Sequence, residues 1–131
     1  MSIAVRYFSR GGVTKRVADI IAGQAGVKAV SVDAADAALT EKADVLFIGG
    51  ALYAYGLDKK LTAYLSGIDG SRVGEAVVFS TSWLSKHAID LIKKALAAKG
   101  IKVREEFLYL KSGQVDKRTA EIKAFADKNI K

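Results

Sequence analysis

The sequence has 131 residues, half of them hydrophobic, and carries a formal net charge of +7 at pH 7. A chain of this length and apolar content is expected to fold as a single domain, residues 1–131, around one packed core. Because the sequence contains no cysteine, disulfides, thiolate nucleophiles and sulfur-ligated metal sites are excluded.

The distribution of apolar and charged residues indicates the cellular location of the protein and the kinds of partner it has. The N-terminal apolar stretch is short and interrupted by Arg6, which argues against a signal peptide. No apolar run approaches the roughly 20 residues that a membrane span needs. The lysines are spread along the chain and form no basic block with interleaved aromatics, which favours solvated helix faces over a nucleic-acid surface. We therefore expect a cytoplasmic protein with no membrane span and no nucleic-acid partner.

Hydrophobic periodicity predicts strands alternating with helices along the whole chain. In chain order these are a strand at 2–8, a helix at 14–26, a strand at 27–32, a helix at 33–43, a strand at 44–51, a helix at 57–65, a strand at 72–81, a helix at 85–100, a strand at 101–110 and a helix at 114–130. The helix at 33–43 is only weakly amphipathic. The strand at 44–51 is almost continuously apolar, as is typical of a strand buried on both faces.

This alternation predicts the fold class. Strands that alternate with helices are joined by crossovers, which makes the sheet parallel and covers both of its faces. The prediction is a three-layer α/β/α sandwich with a five-stranded parallel sheet. Ligands of such folds bind beyond the carboxyl ends of the strands, which selects the loops 9–14, 51–58 and 80–87.

The first loop has the composition of an anion site and consists of Ser9, Arg10, Gly11, Gly12, Val13 and Thr14. It connects a strand to a helix, so free backbone N–H groups and the positive end of the helix converge there. The glycines allow an anion to approach the backbone closely, and Ser9 and Thr14 can add hydroxyl donors. The alternative is an ordinary glycine turn in which Thr14 caps the helix.

Residue types exclude several other phosphate-binding loops. The Gly-Lys-Ser/Thr ending of a nucleotide P-loop is missing, and no third glycine follows Gly11 and Gly12 as a dinucleotide fingerprint requires. A thiol-based phosphatase loop would need a cysteine where Ser9 stands. A phospho-accepting receiver would need an aspartate at the end of the third strand, where the sequence has Gly49 and Gly50.

The segment from Ser9 to Thr14 resembles the phosphate loop of flavodoxins, whose pattern is Ser/Thr-x-Thr-Gly-x-Thr. Ser9, Gly12 and Thr14 match, whereas Gly11 stands where the pattern has threonine and removes one hydroxyl donor. The stretch FIGGALYAYGLDKKLTAYL resembles the second flavin-contacting loop of short-chain flavodoxins, and the strand at 101–110 leaves no room for the insertion of long-chain members. The resemblance covers the whole chain and implies a flavodoxin-like fold and a noncovalently held FMN.

The resemblance assigns the second loop to the flavin ring through Ala51, Leu52, Tyr53, Ala54, Tyr55 and Gly56. A flat aromatic ring favours a stacking partner, which Tyr53 or Tyr55 can supply, and Gly56 allows the backbone to flip. The alternative is a tyrosine pair packed on the edge of the sheet. Asp58 is expected to cap the following helix rather than to contact flavin.

The third loop contains the only tryptophan, Trp83, just past the end of a strand. A single tryptophan commonly belongs to a core or an interface, but this position favours a second wall of the flavin site. Thr81 and Ser82 would offer N–H and hydroxyl donors to the polar edge of the ring, and Lys86 would add a charge nearby. His87 is expected to be an exposed first-turn residue of a helix. We predict neither a metal site nor catalytic residues.

The leading hypothesis is an FMN-binding electron-transfer protein that shuttles electrons between redox partners. In it, Arg10 or Lys15 adds charge attraction for the phosphate, and Lys59, Lys60 and Lys86 stabilise a negatively charged reduced flavin. The positive charge of the chain suggests partners with acidic surfaces. Two alternatives are an FMN-dependent oxidoreductase acting on a quinone or a porphyrin precursor, and a flavin-free module that only binds a partner.

Overall fold

The computed structural model describes residues 1–53, 56–83 and 85–130. The strands are β1 (Ile3–Tyr7), β2 (Ala29–Ser31), β3 (Ala43–Ala51), β4 (Val73–Ser82) and β5 (Lys102–Lys111). The α-helices are α1 (Val13–Ala25), α2 (Lys59–Gly67), α3 (His87–Ala98) and α4 (Thr119–Ile130). Two short 3-10 turns cover Gly70–Arg72 and Ser112–Lys117.

The five strands form one parallel sheet in the order β2-β1-β3-β4-β5. Successive side chains of β3 point to opposite faces of the sheet and enter different cores, because side chains alternate along a strand. Phe47 packs with residues of α1 and α4 on one face, and Leu46 and Ile48 pack with residues of α2 and α3 on the other. The predicted three-layer α/β/α sandwich with a five-stranded parallel sheet is therefore confirmed.

The helix predicted at 33–43 is wrong, because this segment folds as turns and bends. The carbonyl oxygen of Ala37 accepts hydrogen bonds from Arg6 Nε and from the Tyr64 hydroxyl, both at 2.7 Å, so side chains of neighbouring elements bind the backbone here. The segment is rich in alanine and offers little apolar surface to bury as a helix. A cavity of about 400 Å³ is left between it and α2.

The start of the last predicted helix also differs from the structure. The prediction began at residue 114, whereas Ser112–Lys117 forms a 3-10 turn and α4 begins at Thr119. The amide of Arg118 donates to the carbonyl of Val115, which closes this tight turn. No helix in the described ranges has the length and hydropathy that crossing a bilayer demands.

Candidate functional site

The three loops selected from the sequence meet at one cleft at the carboxyl ends of β1, β3 and β4. The sheet register brings them together, because Tyr7 pairs with Gly49 and Ala51 pairs with Thr81. The cleft has a volume of about 210 Å³ and is lined by Ser9, Gly11, Val13, Thr14, Ala51, Leu52, Tyr53, Thr81, Ser82, Trp83 and Ser112. Arg10, Gly12, Gly56 and Lys86 do not line it.

The first loop leaves backbone donors free at the start of α1. Gly12 precedes the helix with φ = +91°, a left-handed conformation that a side chain disfavours. Among the described residues no side chain caps this helix, and its first turn contains no acidic residue, so its N–H groups and its positive end are available to an anion. The Ser9 hydroxyl oxygen accepts from the Gly12 amide at 3.0 Å, which leaves the Ser9 proton to donate.

Thr14 and Thr81 form a buried pair beneath the cleft. Their hydroxyl oxygens are 2.7 Å apart, and each residue is 1 % exposed. The interpretation of Thr14 as a helix cap is therefore wrong, because its side chain binds β4 instead of the end of its own helix. The pair fixes the start of α1 against the end of β4, so it sets the position of the anion loop relative to the third loop.

We expect the Thr14–Thr81 pair to be energetically coupled. Changing either residue alone to valine is expected to lower the free energy of unfolding by about 1–3 kcal/mol, since the remaining hydroxyl loses its partner in a buried place. The double variant should lose clearly less than the sum of the two single losses, because no hydroxyl is left unpaired. Urea unfolding of the four proteins measures this, and strictly additive losses would contradict the coupling.

Neither cation expected to attract a phosphate is free to do so. Arg10 donates to Asp58 Oδ2 from Nε at 2.8 Å and lies 2.7 Å from it through Nη2. Lys15 Nζ lies 2.7 Å from Asp19 Oδ2 on the surface of α1. An anion at this loop would therefore meet amides, a hydroxyl and the helix end rather than an unpaired cation.

Asp58 caps α2, as the sequence predicted. Its Oδ1 accepts from the Lys60 amide at 2.8 Å. This backbone hydrogen bond, followed by the interaction with Arg10, holds the pKa of the Asp58 carboxyl below its ordinary value. The residue therefore stays charged at neutral pH and keeps Arg10 paired.

The second loop supplies Ala51, Leu52 and Tyr53 to the cleft. Tyr53 and Gly56 exchange two backbone hydrogen bonds of 2.8 and 3.0 Å. The Arg10 guanidinium lies 3.9 Å from the centre of the Tyr53 ring, so a stacking ligand can use only the other ring face. Ala54 and Tyr55 lie outside the described residues, and their assignment to the ring remains a prediction.

The third loop places an exposed aromatic ring at the mouth of the cleft. Trp83 is 72 % exposed, so it does not belong to the core. Its six-membered ring lies on Gly113, where a Cβ atom would come within 2.8 Å of Trp83 Cη2. Thr81 and Ser82 are buried at the end of β4. Lys86 precedes α3, and its Nζ lies 5.8 Å from the centre of the Phe107 ring.

Ser112 and Gly113 belong to the site, although sequence reasoning did not select them. They follow β5 in the 3-10 turn, where Ser112 lines the cleft and Gly113 supports Trp83. The rule that selected the other loops applies to β5 as well, since its carboxyl end lies at the same edge of the sheet. A serine and a glycine that follow the predicted strand at 101–110 after a single lysine were the available signal.

Comparisons with known proteins identify the fold. The sequence matches no protein-family model and no curated protein. The structure resembles a flavodoxin from the domain Archaea, with a TM-score of 0.74 and 22 % identity over 99 % of both chains. It also resembles flavodoxin 2 from Bacillus cereus, with a TM-score of 0.71 and 20 % identity over 98 % of this chain and 99 % of that one.

A third similar structure belongs to a longer protein. The chain matches rubredoxin oxygen:oxidoreductase from Desulfovibrio gigas with a TM-score of 0.80 and 15 % identity, over 96 % of this chain but 34 % of that one. The protein described here therefore has the flavodoxin fold, as the resemblance of its loops implied. The same fold occurs both in flavodoxins and within a longer oxidoreductase, so the fold alone does not define a function.

Proposed function

We propose that this protein binds FMN noncovalently and transfers electrons between redox partners in the cytoplasm. The observation that carries the proposal is the junction of two kinds of surface in one cleft. Uncapped N–H groups at the start of α1 can hold a phosphate, and the adjoining lining includes Leu52, Tyr53 and Trp83, which suit a flat aromatic ring. FMN contains both chemical groups.

The residues present fit this cofactor. Ser9 and the backbone of Gly11 to Thr14 would hold the phosphate, and the space beside Gly11 is open, since a Cβ atom there would meet nothing within 4 Å. Tyr53 and Trp83 would flank the ring, and Thr81 and Ser82 at the carboxyl end of β4 also line the cleft. When bound, FMN supplies the redox chemistry, and the protein orients it and limits its access to solvent.

The exposure of the cleft favours a carrier. Trp83 lines the cleft and is 72 % exposed, so a ring packed against it would keep part of its edge at the surface. An accessible ring edge suits electron transfer to another protein, whereas a small substrate generally needs an enclosed site.

The charge near the cleft supports partners with acidic surfaces. Lys59 opens α2, Lys86 precedes α3 and Lys111 ends β5, so these exposed side chains lie at the same edge of the sheet as the cleft. Lys60 is partly neutralised, because its Nζ lies 3.4 Å from Asp33 Oδ2. Complementary charges across an interface mainly accelerate association and are screened by salt.

Stopped-flow reduction tests this function. The FMN-loaded protein is mixed with a reduced, acidic [2Fe–2S] ferredoxin, and the loss of oxidised flavin absorbance is followed at increasing ionic strength. We expect a bimolecular rate that falls as salt rises, and a further fall in a variant with Lys59, Lys86 and Lys111 changed to glutamine. An absence of electron transfer, or steady turnover with NADH and a quinone in the absence of a protein partner, would contradict a carrier function.

A further inference from the structure

Arg10 connects the anion loop to the second loop through both its backbone and its side chain. Its amide donates to the Tyr53 hydroxyl at 3.0 Å. Its guanidinium lies over the Tyr53 ring, 3.9 Å from the ring centre. Arg10 thus contacts Tyr53 both at its hydroxyl and on one face of its ring. Tyr53 also lines the cleft.

Asp58 holds the guanidinium in this place. Its two carboxylate oxygens have different partners: Oδ1 accepts from the Lys60 amide and caps α2, and Oδ2 binds Arg10 Nε and Nη2. The Asp58 side chain is only 11 % exposed, whereas that of Arg10 is 57 % exposed. The fixed partner is therefore the aspartate at the start of the helix, and the long arginine side chain is held by it.

We infer that Asp58 is a positioning residue of the flavin site, acting through Arg10 to fix Tyr53 as one wall of the cleft. This inference rests on the proposed FMN site and adds a role for residues that do not line it. A guanidinium stacked on an aromatic ring stabilises the arrangement, and the carboxylate prevents it from swinging into solvent. Asp58 thus has two separable functions, one in capping α2 and one in holding Arg10.

Two substitutions of Asp58 separate these functions. Asp58→Asn keeps a good helix cap but removes the charge that holds Arg10. Asp58→Glu keeps the charge on a longer side chain but caps the helix less well. Across these variants, flavin affinity should follow the pairing with Arg10, whereas the free energy of unfolding should follow the cap.

Riboflavin and FMN titrations, followed by flavin fluorescence, make the measurement. Asp58→Asn is expected to raise the dissociation constant of riboflavin at least about fivefold, because the wall formed by Tyr53 is loosened; FMN should lose no more than riboflavin, because the released Arg10 adds a positive charge beside the phosphate loop. Asp58→Glu should recover much of the affinity while unfolding at a lower urea concentration. Arg10→Lys should behave like Asp58→Asn, because an ammonium group lacks the planar fork that stacks and pairs.

Asp19→Asn is the matched control. It removes one partner of the Lys15–Asp19 ion pair, whose 2.7 Å separation equals that of Arg10 and Asp58. Lys15 directly follows the anion loop in the sequence. The riboflavin affinity of Asp19→Asn should stay within about twofold of the parent, as expected for an exposed pair. Affinities of Asp58→Asn that equal those of the parent, or affinities that follow stability across the variants, would overturn the inference. A parent protein that binds neither flavin would refute the proposed function itself.

Discussion

Replacing Gly12 by valine is expected to lower the affinity for FMN about a hundredfold. Gly12 has φ = +91° at the entry to α1, a conformation that a β-branched side chain strongly disfavours. Relaxation of the loop would turn its amides away from the phosphate position and break the hydrogen bond between the Gly12 amide and Ser9. Riboflavin, which has no phosphate, should lose much less affinity. Parallel titrations of the two flavins measure the difference.

Gly26 provides the matched control for this substitution. It ends the same helix with φ = +71°, so Gly26→Val introduces backbone strain of the same kind without changing the anion loop. We expect a comparable loss of stability and no loss of FMN affinity. Equal losses for FMN and riboflavin in Gly12→Val would contradict a phosphate site at this loop.

Replacing Gly49 by alanine is expected to lower the free energy of unfolding by about 3 kcal/mol. A Cβ atom at Gly49 would overlap the ring of Phe79 and lie 2.5 Å from the Phe79 carbonyl oxygen. Phe79 is fully buried on the adjacent strand β4, so neither its ring nor its backbone can move aside cheaply in a close-packed core. Urea or thermal unfolding measures the loss.

Gly23 provides the matched control, because an alanine there would not crowd any neighbouring atom. It lies in α1, where a Cβ atom would meet nothing within 4 Å. Gly23→Ala is expected to raise stability by about 0.5–1 kcal/mol, because alanine favours the helix. If Gly49→Ala proved as stable as the parent, this would contradict the close packing of β3 against β4 at the carboxyl edge of the sheet.

The fold could be predicted because its signals are local and repeated. Apolar runs and helical periodicity give nine of the regular elements, and the crossover rule gives the parallel sheet. The segment 33–43 was mispredicted because its alanines suit a helix but bury little surface. Its backbone is bound instead by Arg6 and Tyr64, which are distant in sequence, and no local pattern reports such contacts.

The site was predictable as a set of loops but not as a set of contacts. The three loops could be found because the carboxyl ends of parallel strands meet at one edge. The sequence did not reveal that Arg10 pairs with Asp58, since the two are 48 positions apart and an arginine beside glycines equally suits a phosphate. The Thr14–Thr81 hydrogen bond was missed for the same reason, because it depends on how α1 lies against β4.

Fluorescence of Trp83 during titration with FMN tests the central claim most directly. Trp83 is the only tryptophan of the chain and stands exposed at the mouth of the cleft, so its emission reports on this site alone. We predict that FMN quenches this emission to a plateau at one FMN per chain, with flavin absorption bands that stay with the protein after gel filtration. Unchanged Trp83 emission and loss of all flavin on the column would contradict the assignment of the three loops to FMN.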